Sequence, residues 1–125
     1  MKFLHTSITV KNMEESIKFY KEIIGLKLIK RREIKENNAE IAFLSDSESG
    51  NSVELTYWFD KDDYNGGDEL DHLAFATDNL TEAIIDFRNK GINIAKEPYS
   101  LRGSDSKIAF ITDPNGIWIE LIENK

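Results

Sequence analysis

Cysteine is absent from the 125 residues. That removes disulfides, thiolate metal ligands and a thiol nucleophile from consideration. No apolar run approaches the roughly 18–20 residues that a membrane-spanning helix needs, so no membrane partner is expected. Nor does a charged leader precede an apolar stretch. The strand-like Phe3–Val10 begins almost at once, and the expected compartment is the cytoplasm. The 16 basic residues form no long stripe and the net charge is −7. Such a chain repels a phosphate backbone, which argues against nucleic acid. One short basic cluster, Lys27, Lys30, Arg31 and Arg32, reads as a solvated strand end. Histidine is scarce as well, with two in the chain. What remains, 40 % hydrophobic and 31 % charged residues, suits one globular domain spanning 1–125 with a real core.

The chain reads as one motif written twice. At a common offset His5 lies over His72, Asn12 over Asn79, Ile17 over Ile84, Phe43 over Phe110 and Asp46 over Asp113. Glu54-Leu55 lies over Glu120-Leu121 at an offset one shorter, as a single deletion in the second loop would give. The units span about residues 1–60 and 68–125. In the first, Leu4–Val10 alternates as a strand does. Asn12 with Glu15 forms a capping signal, and Met13, Ile17, Tyr20 and Ile24 recur at helical spacing until Gly25. Leu26–Arg32, Glu40–Leu44 and Ser52–Phe59 follow as strands. The second unit repeats the plan. Leu70–Ala76 is its first strand, Asn79 caps a helix with the stripe Leu80, Ile84 and Phe87, and Gly91 ends it. Ile92–Ala95, Lys107–Thr112 and Gly116–Ile122 are the remaining strands, with a turn at Asp113-Pro114-Asn115-Gly116. The fold class is α+β: two βαβββ units, each a curved mixed sheet with one helix on its outer face.

Side chains alternate across a strand, so the pattern assigns faces. His5, Ser7 and Thr9 share one face of their strand, and Glu54, Thr56 and Trp58 share one face of theirs. His72 and Glu120 likewise point away from the greasier side that the helix covers. A carboxylate set among strand hydrophobics, as Glu120 is between Ile119 and Leu121, needs a partner if desolvated. Taken singly, each of these residues reads as a hydrogen-bonded or solvated group. Taken together, both histidines of the chain and two glutamates obey the internal repeat, and one divalent cation satisfies all four. Two imidazoles and two carboxylates suit Zn²⁺, Ni²⁺, Co²⁺ or Fe²⁺.

The segments Leu4-His5-Thr6, Val53-Glu54-Leu55-Thr56-Tyr57, Asp71-His72-Leu73-Ala74 and Asp113-Pro114-Asn115-Gly116 through Ile119-Glu120-Leu121-Ile122 carry a family resemblance. Across essentially its whole length the chain resembles glyoxalase I, or lactoylglutathione lyase, of the vicinal oxygen chelate superfamily, and most closely its short bacterial type. The resemblance implies the glyoxalase/bleomycin resistance/dioxygenase fold. It also implies one divalent metal per site held by His5, Glu54, His72 and Glu120, with nickel or cobalt favoured and zinc possible. The implied substrate is the hemithioacetal of methylglyoxal and a small thiol, isomerised to an S-lactoyl thioester with Glu120 as general base and Glu54 as the second catalytic carboxylate. Arg102, followed by Gly103, matches the family's cationic loop residue that grips a substrate carboxylate. Two substrate-binding positions depart from the pattern. Thr9 stands where the bacterial enzymes have an arginine for the glutathione glutamyl carboxylate, and Trp58 where they have an asparagine. The chemical end is retained and the thiol-binding end altered, so the thiol is glutathione or another. Trp58, Trp118 and Phe110 are expected to bound the pocket. Because a single unit leaves its concave face open, units must pair either within one chain or across a dimer; the family does both, and a homodimer is expected.

Other enzymes of this fold remain as alternatives. Epimerases usually have glutamine where this chain has Glu54, and thiol transferases use three protein ligands. A metal-free sequestering resistance protein is a further alternative, which the four-ligand set disfavours.

Overall fold

Alternating strand patterns become two four-stranded mixed sheets. The computed structural model describes residues 1–100, 103 and 105–124. The chain divides into two compact units, Met1–Gly66 and Gly67–Lys125. No helix among the described residues is long and apolar enough to cross a membrane.

In the first unit β1 (His5–Thr9), α1 (Met13–Lys18), β2 (Lys27–Ile34), β3 (Ala39–Ser45) and β4 (Ser52–Trp58) form a sheet ordered β1-β4-β3-β2. β1 runs parallel to β4 and the other pairs are antiparallel. Asn12 caps α1, its Oδ1 accepting from the Glu15 backbone N–H at 3.0 Å. The expected stripe continues past Lys18 with a different winding. Phe19–Ile23 is a π-turn, marked by Ile24 N–H bonding to the Phe19 carbonyl. Phe19 and Tyr20 are both buried there and meet edge to face at 5.1 Å. Widening the helix brings two consecutive aromatics inside, and Ile24 is only half-buried. Gly25, at φ +90°, supplies the left-handed turn that ends the segment.

The second unit repeats this plan with β5 (His72–Thr77), α2 (Leu80–Asn89), β6 (Ile94–Ser100), β7 (Lys107–Thr112) and β8 (Trp118–Glu123), ordered β5-β8-β7-β6. Asn79 caps α2 through the Glu82 N–H, and Leu80, Ile84 and Phe87 are its buried stripe. β6 extends beyond the expected Ala95 and passes through Pro98. Its register against β7 shifts on both sides of Lys96, so the proline N falls where the ladder is already interrupted. Asp113 builds the turn before β8 by accepting the Asn115 and Ile117 N–H groups, each at 2.8 Å.

Each core lies between helix and sheet. Leu44 and Leu55 are fully buried in one unit, Ile111 and Ile119 in the other. In the basic cluster Lys27, Lys30 and Arg32 are exposed as expected, and one residue differs. Arg31 is ion-paired, forking onto Glu40 at 3.1 and 3.2 Å and reaching Glu14 at 2.6 Å. Hydrogen bonding to Glu40 first, and then to Glu14, holds its guanidinium above even its ordinary range.

Candidate functional site

Register decides which side chains meet. In the first unit Glu54 stands beside Ser7 of β1 and Phe43 of β3. His5 lies two residues back along β1, on the same face as Ser7. Its Nε2 comes within 3.8 Å of Glu54 Oε1, and its ring meets Phe43 edge-on at 5.1 Å. The second unit reproduces this arrangement. Glu120 stands beside Ala74 and Phe110. His72 Nε2 lies 2.8 Å from Glu120 Oε2, and its ring meets Phe110 edge-on at 5.7 Å. The glutamate side chains retain 17 % and 15 % of their exposure, the histidines 36 % and 32 %. Each unit therefore presents one imidazole nitrogen and one largely sheltered carboxylate, seated on a phenylalanine.

The halves differ in one detail. Asp71 Oδ1 lies 2.7 Å from His72 Nδ1, which turns Nε2 toward Glu120 and fixes the ring. The residue preceding His5 is Leu4.

Nitrogen and carboxylate oxygen donors in this pairing fit a divalent transition metal. Among the described residues no group of three or more His, Asp or Glu side chains is placed to hold a metal ion. Each unit supplies two donors of the expected four.

Two of the expected substrate-binding residues meet at the other end of the first unit's face. Trp58 Nε1 donates to Thr9 Oγ1 at 3.2 Å. They border a cleft of about 530 Å³ that Asn37, Asn38, Asp60, Lys61 and Asp63 also line. The sequence pattern missed these last five, which come from a 3₁₀ turn (Lys35–Asn37) and the loop after β4. Phe110 packs against Trp118 with ring centroids 5.3 Å apart. Both tryptophans keep exposed faces. Arg102 lies outside the described residues, as does Ser104 beside it.

A family model described as Glyoxalase/Bleomycin resistance protein/Dioxygenase superfamily matches residues 2–121. The chain belongs to this superfamily. Within the superfamily it is similar to the lactoylglutathione lyase of Haemophilus influenzae, with 37 % identity over the whole chain and 94 % of that protein. Among solved structures, the glyoxalase I of Zea mays matches 98 % of this chain with a TM-score of 0.88 and 33 % identity. This chain spans 44 % of the maize protein. The Leishmania major glyoxalase I, described as trypanothione-dependent, matches 98 % of this chain and 86 % of its own with a TM-score of 0.84 and 30 % identity. The chain is thus a lactoylglutathione lyase-like enzyme of the glyoxalase superfamily.

Proposed function

We propose that the chain is a metal-dependent glyoxalase I that isomerises the hemithioacetal of methylglyoxal and a thiol to an S-lactoyl thioester. The observation that carries this reading is the repeat-equivalent pairing of His5 with Glu54 and His72 with Glu120, each on its phenylalanine. A hydrolytic nucleophile site would have no use for two such like pairs. His5, Glu54, His72 and Glu120 would hold one divalent cation, nickel or cobalt in preference to zinc. When bound, that cation supplies Lewis acidity toward the two adjacent substrate oxygens.

The chain's own groups do the rest. Glu120 takes the proton from the carbon that bears sulfur and delivers it to the neighbouring carbon. The first carbon becomes the thioester carbonyl as its hydroxyl proton passes to the neighbouring oxygen, and the second becomes the lactoyl carbinol. Glu54 serves the opposite face of the substrate. The low exposure of both carboxylates keeps bulk water from competing for the proton. Thr9 and Trp58 border the thiol end, and Arg102 would grip a substrate carboxylate. One cation needs a first-unit pair and a second-unit pair. We assign this to a cytoplasmic homodimer of single-domain chains.

Metal content and turnover test the reading together. Protein stripped with a chelator is expected to lose thioester formation, followed by ultraviolet absorbance, and to regain it best with nickel or cobalt. Purified protein that binds none of these metals and turns over no hemithioacetal would sink it.

A further inference from the structure

Asparagine is followed by glycine twice in the chain, at Asn65-Gly66 and at Asn115-Gly116. Such a pair has its own chemistry. A glycine nitrogen is unhindered and its backbone turns easily, so it can close on the carbonyl carbon of the preceding asparagine side chain. Whether it does so depends on what holds the two groups apart.

At Asn115 both groups are held. The Gly116 N–H donates to the Asp113 carbonyl at 3.1 Å. The Asn115 side-chain amide donates to Asp113 Oδ2 at 3.3 Å, and its backbone N–H donates to Oδ1 at 2.8 Å. Asn115 is also half-buried. Ring closure there must first open the turn. Asn65 is the opposite case. Among the described residues no hydrogen bond reaches the Asn65 side chain or the Gly66 N–H. Asn65, Gly66 and Gly67 are all exposed. Crowding does not separate the two pairs, because Gly66 and Gly116 both have open space where a Cβ would stand. The chain is tethered just before Asn65. Tyr64 donates its hydroxyl to the Lys61 carbonyl at 3.2 Å, and its ring lies 5.7 Å from the Lys61 ammonium and 5.9 Å from that of Lys11. Asn65 is the first residue beyond that anchor.

We propose that Asn65 is a site of spontaneous covalent modification, converting through a cyclic imide to isoaspartate and aspartate, while the Asp113 turn protects Asn115. The Gly66 nitrogen gives its proton to hydroxide and bonds to Asn65 Cγ. The Cγ–Nδ2 bond breaks, and ammonia leaves with a proton taken from water. Water then opens the ring. Breaking the Cγ–N bond gives aspartate. Breaking the bond from the main-chain carbonyl carbon to nitrogen gives isoaspartate, whose chain runs through Cβ and Cγ. The net change consumes one water and releases one ammonia, with nothing oxidised or reduced. Position gives the change its consequence. Asn65 stands at the junction of Met1–Gly66 with Gly67–Lys125. Isoaspartate adds one main-chain carbon to the connection between the unit bearing His5 and Glu54 and the unit bearing His72 and Glu120. It also adds a negative charge to a stretch that already holds Asp62, Asp63, Asp68 and Glu69.

The full chain is incubated at mildly alkaline pH, folded and in urea, then digested with trypsin. Isoaspartate is counted with an isoaspartyl methyltransferase and a labelled methyl donor, and mass spectrometry assigns it to the Asp62–Arg88 or the Ile108–Lys125 fragment. In the folded chain Asn65 is expected to convert more than about tenfold faster than Asn115, since one net hydrogen bond retards opening by roughly that factor. In urea, where the turn is lost, the two rates should converge. Asn65→Gln should remove the signal from the first fragment and leave the circular dichroism spectrum unchanged. Equal rates in the folded chain, or a first-fragment signal that survives Asn65→Gln, overturn the assignment. A gap that persists undiminished in urea overturns the protection assigned to the turn.

Discussion

At the scale of single residues, the sequence separates the proposed donors from their supports unevenly. The histidines and glutamates stand out because they repeat, whereas Asp71 does not repeat and matters only through its 2.7 Å contact with His72 Nδ1. Asp71→Asn is expected to weaken metal binding about 10- to 100-fold, measured against a chromophoric chelator. Leu4→Ala, beside His5, should leave that affinity nearly unchanged. Asp46 gives a second residue-scale expectation. The Ser49 hydroxyl first, and then the Ser49 and Glu48 N–H groups, hold its carboxyl below the usual value of 3.8. A lowered folded pKa favours the ionised carboxylate in the native state. Its stabilisation is therefore complete above the unfolded value and is lost as pH falls through the folded one. The site is exposed and screened, so the contribution is small. Asp46→Asn should lower the denaturation midpoint at pH 7, and the gap should close below about pH 4.

At the scale of elements, asparagine begins both helices for the same physical reason, a side-chain oxygen meeting an orphan N–H. Asn79→Ala and Asn12→Ala should each cost about 1 kcal/mol in chemical denaturation. These caps, the strand alternation and the Asp113 turn were legible in the sequence because each is set by neighbours in the chain. Other elements were not. The π-turn depends on burying Phe19 and Tyr20 together, which a regular 3.6-residue period does not anticipate. β6 hides behind Pro98, because a proline reads as a break unless the register shift beside it is known. Arg31 looked solvated since Glu14 and Glu40 reach it from other elements. The cleft escaped for the same reason: Asn38 and Asp60 are 22 residues apart and meet only once the turn and loop are folded.

At the scale of the whole molecule, two donors per unit make stoichiometry testable. Light scattering is expected to give a dimer. If sites are shared between chains, mixing inactive His5→Ala with inactive His72→Ala protein should recover about a quarter of native turnover. Random pairing makes half the dimers mixed, and each mixed dimer keeps one intact site of two. No recovery after mixing would mean that each chain completes its own site. Ser7, Thr56 and Thr9 form a hydroxyl track on the face of the first unit only. Two matching halves would let a substrate lie either way round, so that the proton could return to either face of the neighbouring trigonal carbon. On the proposed lyase reading, a single-sided track gives the substrate one orientation, and the handedness of the product is then expected to be decided at docking, before any bond changes.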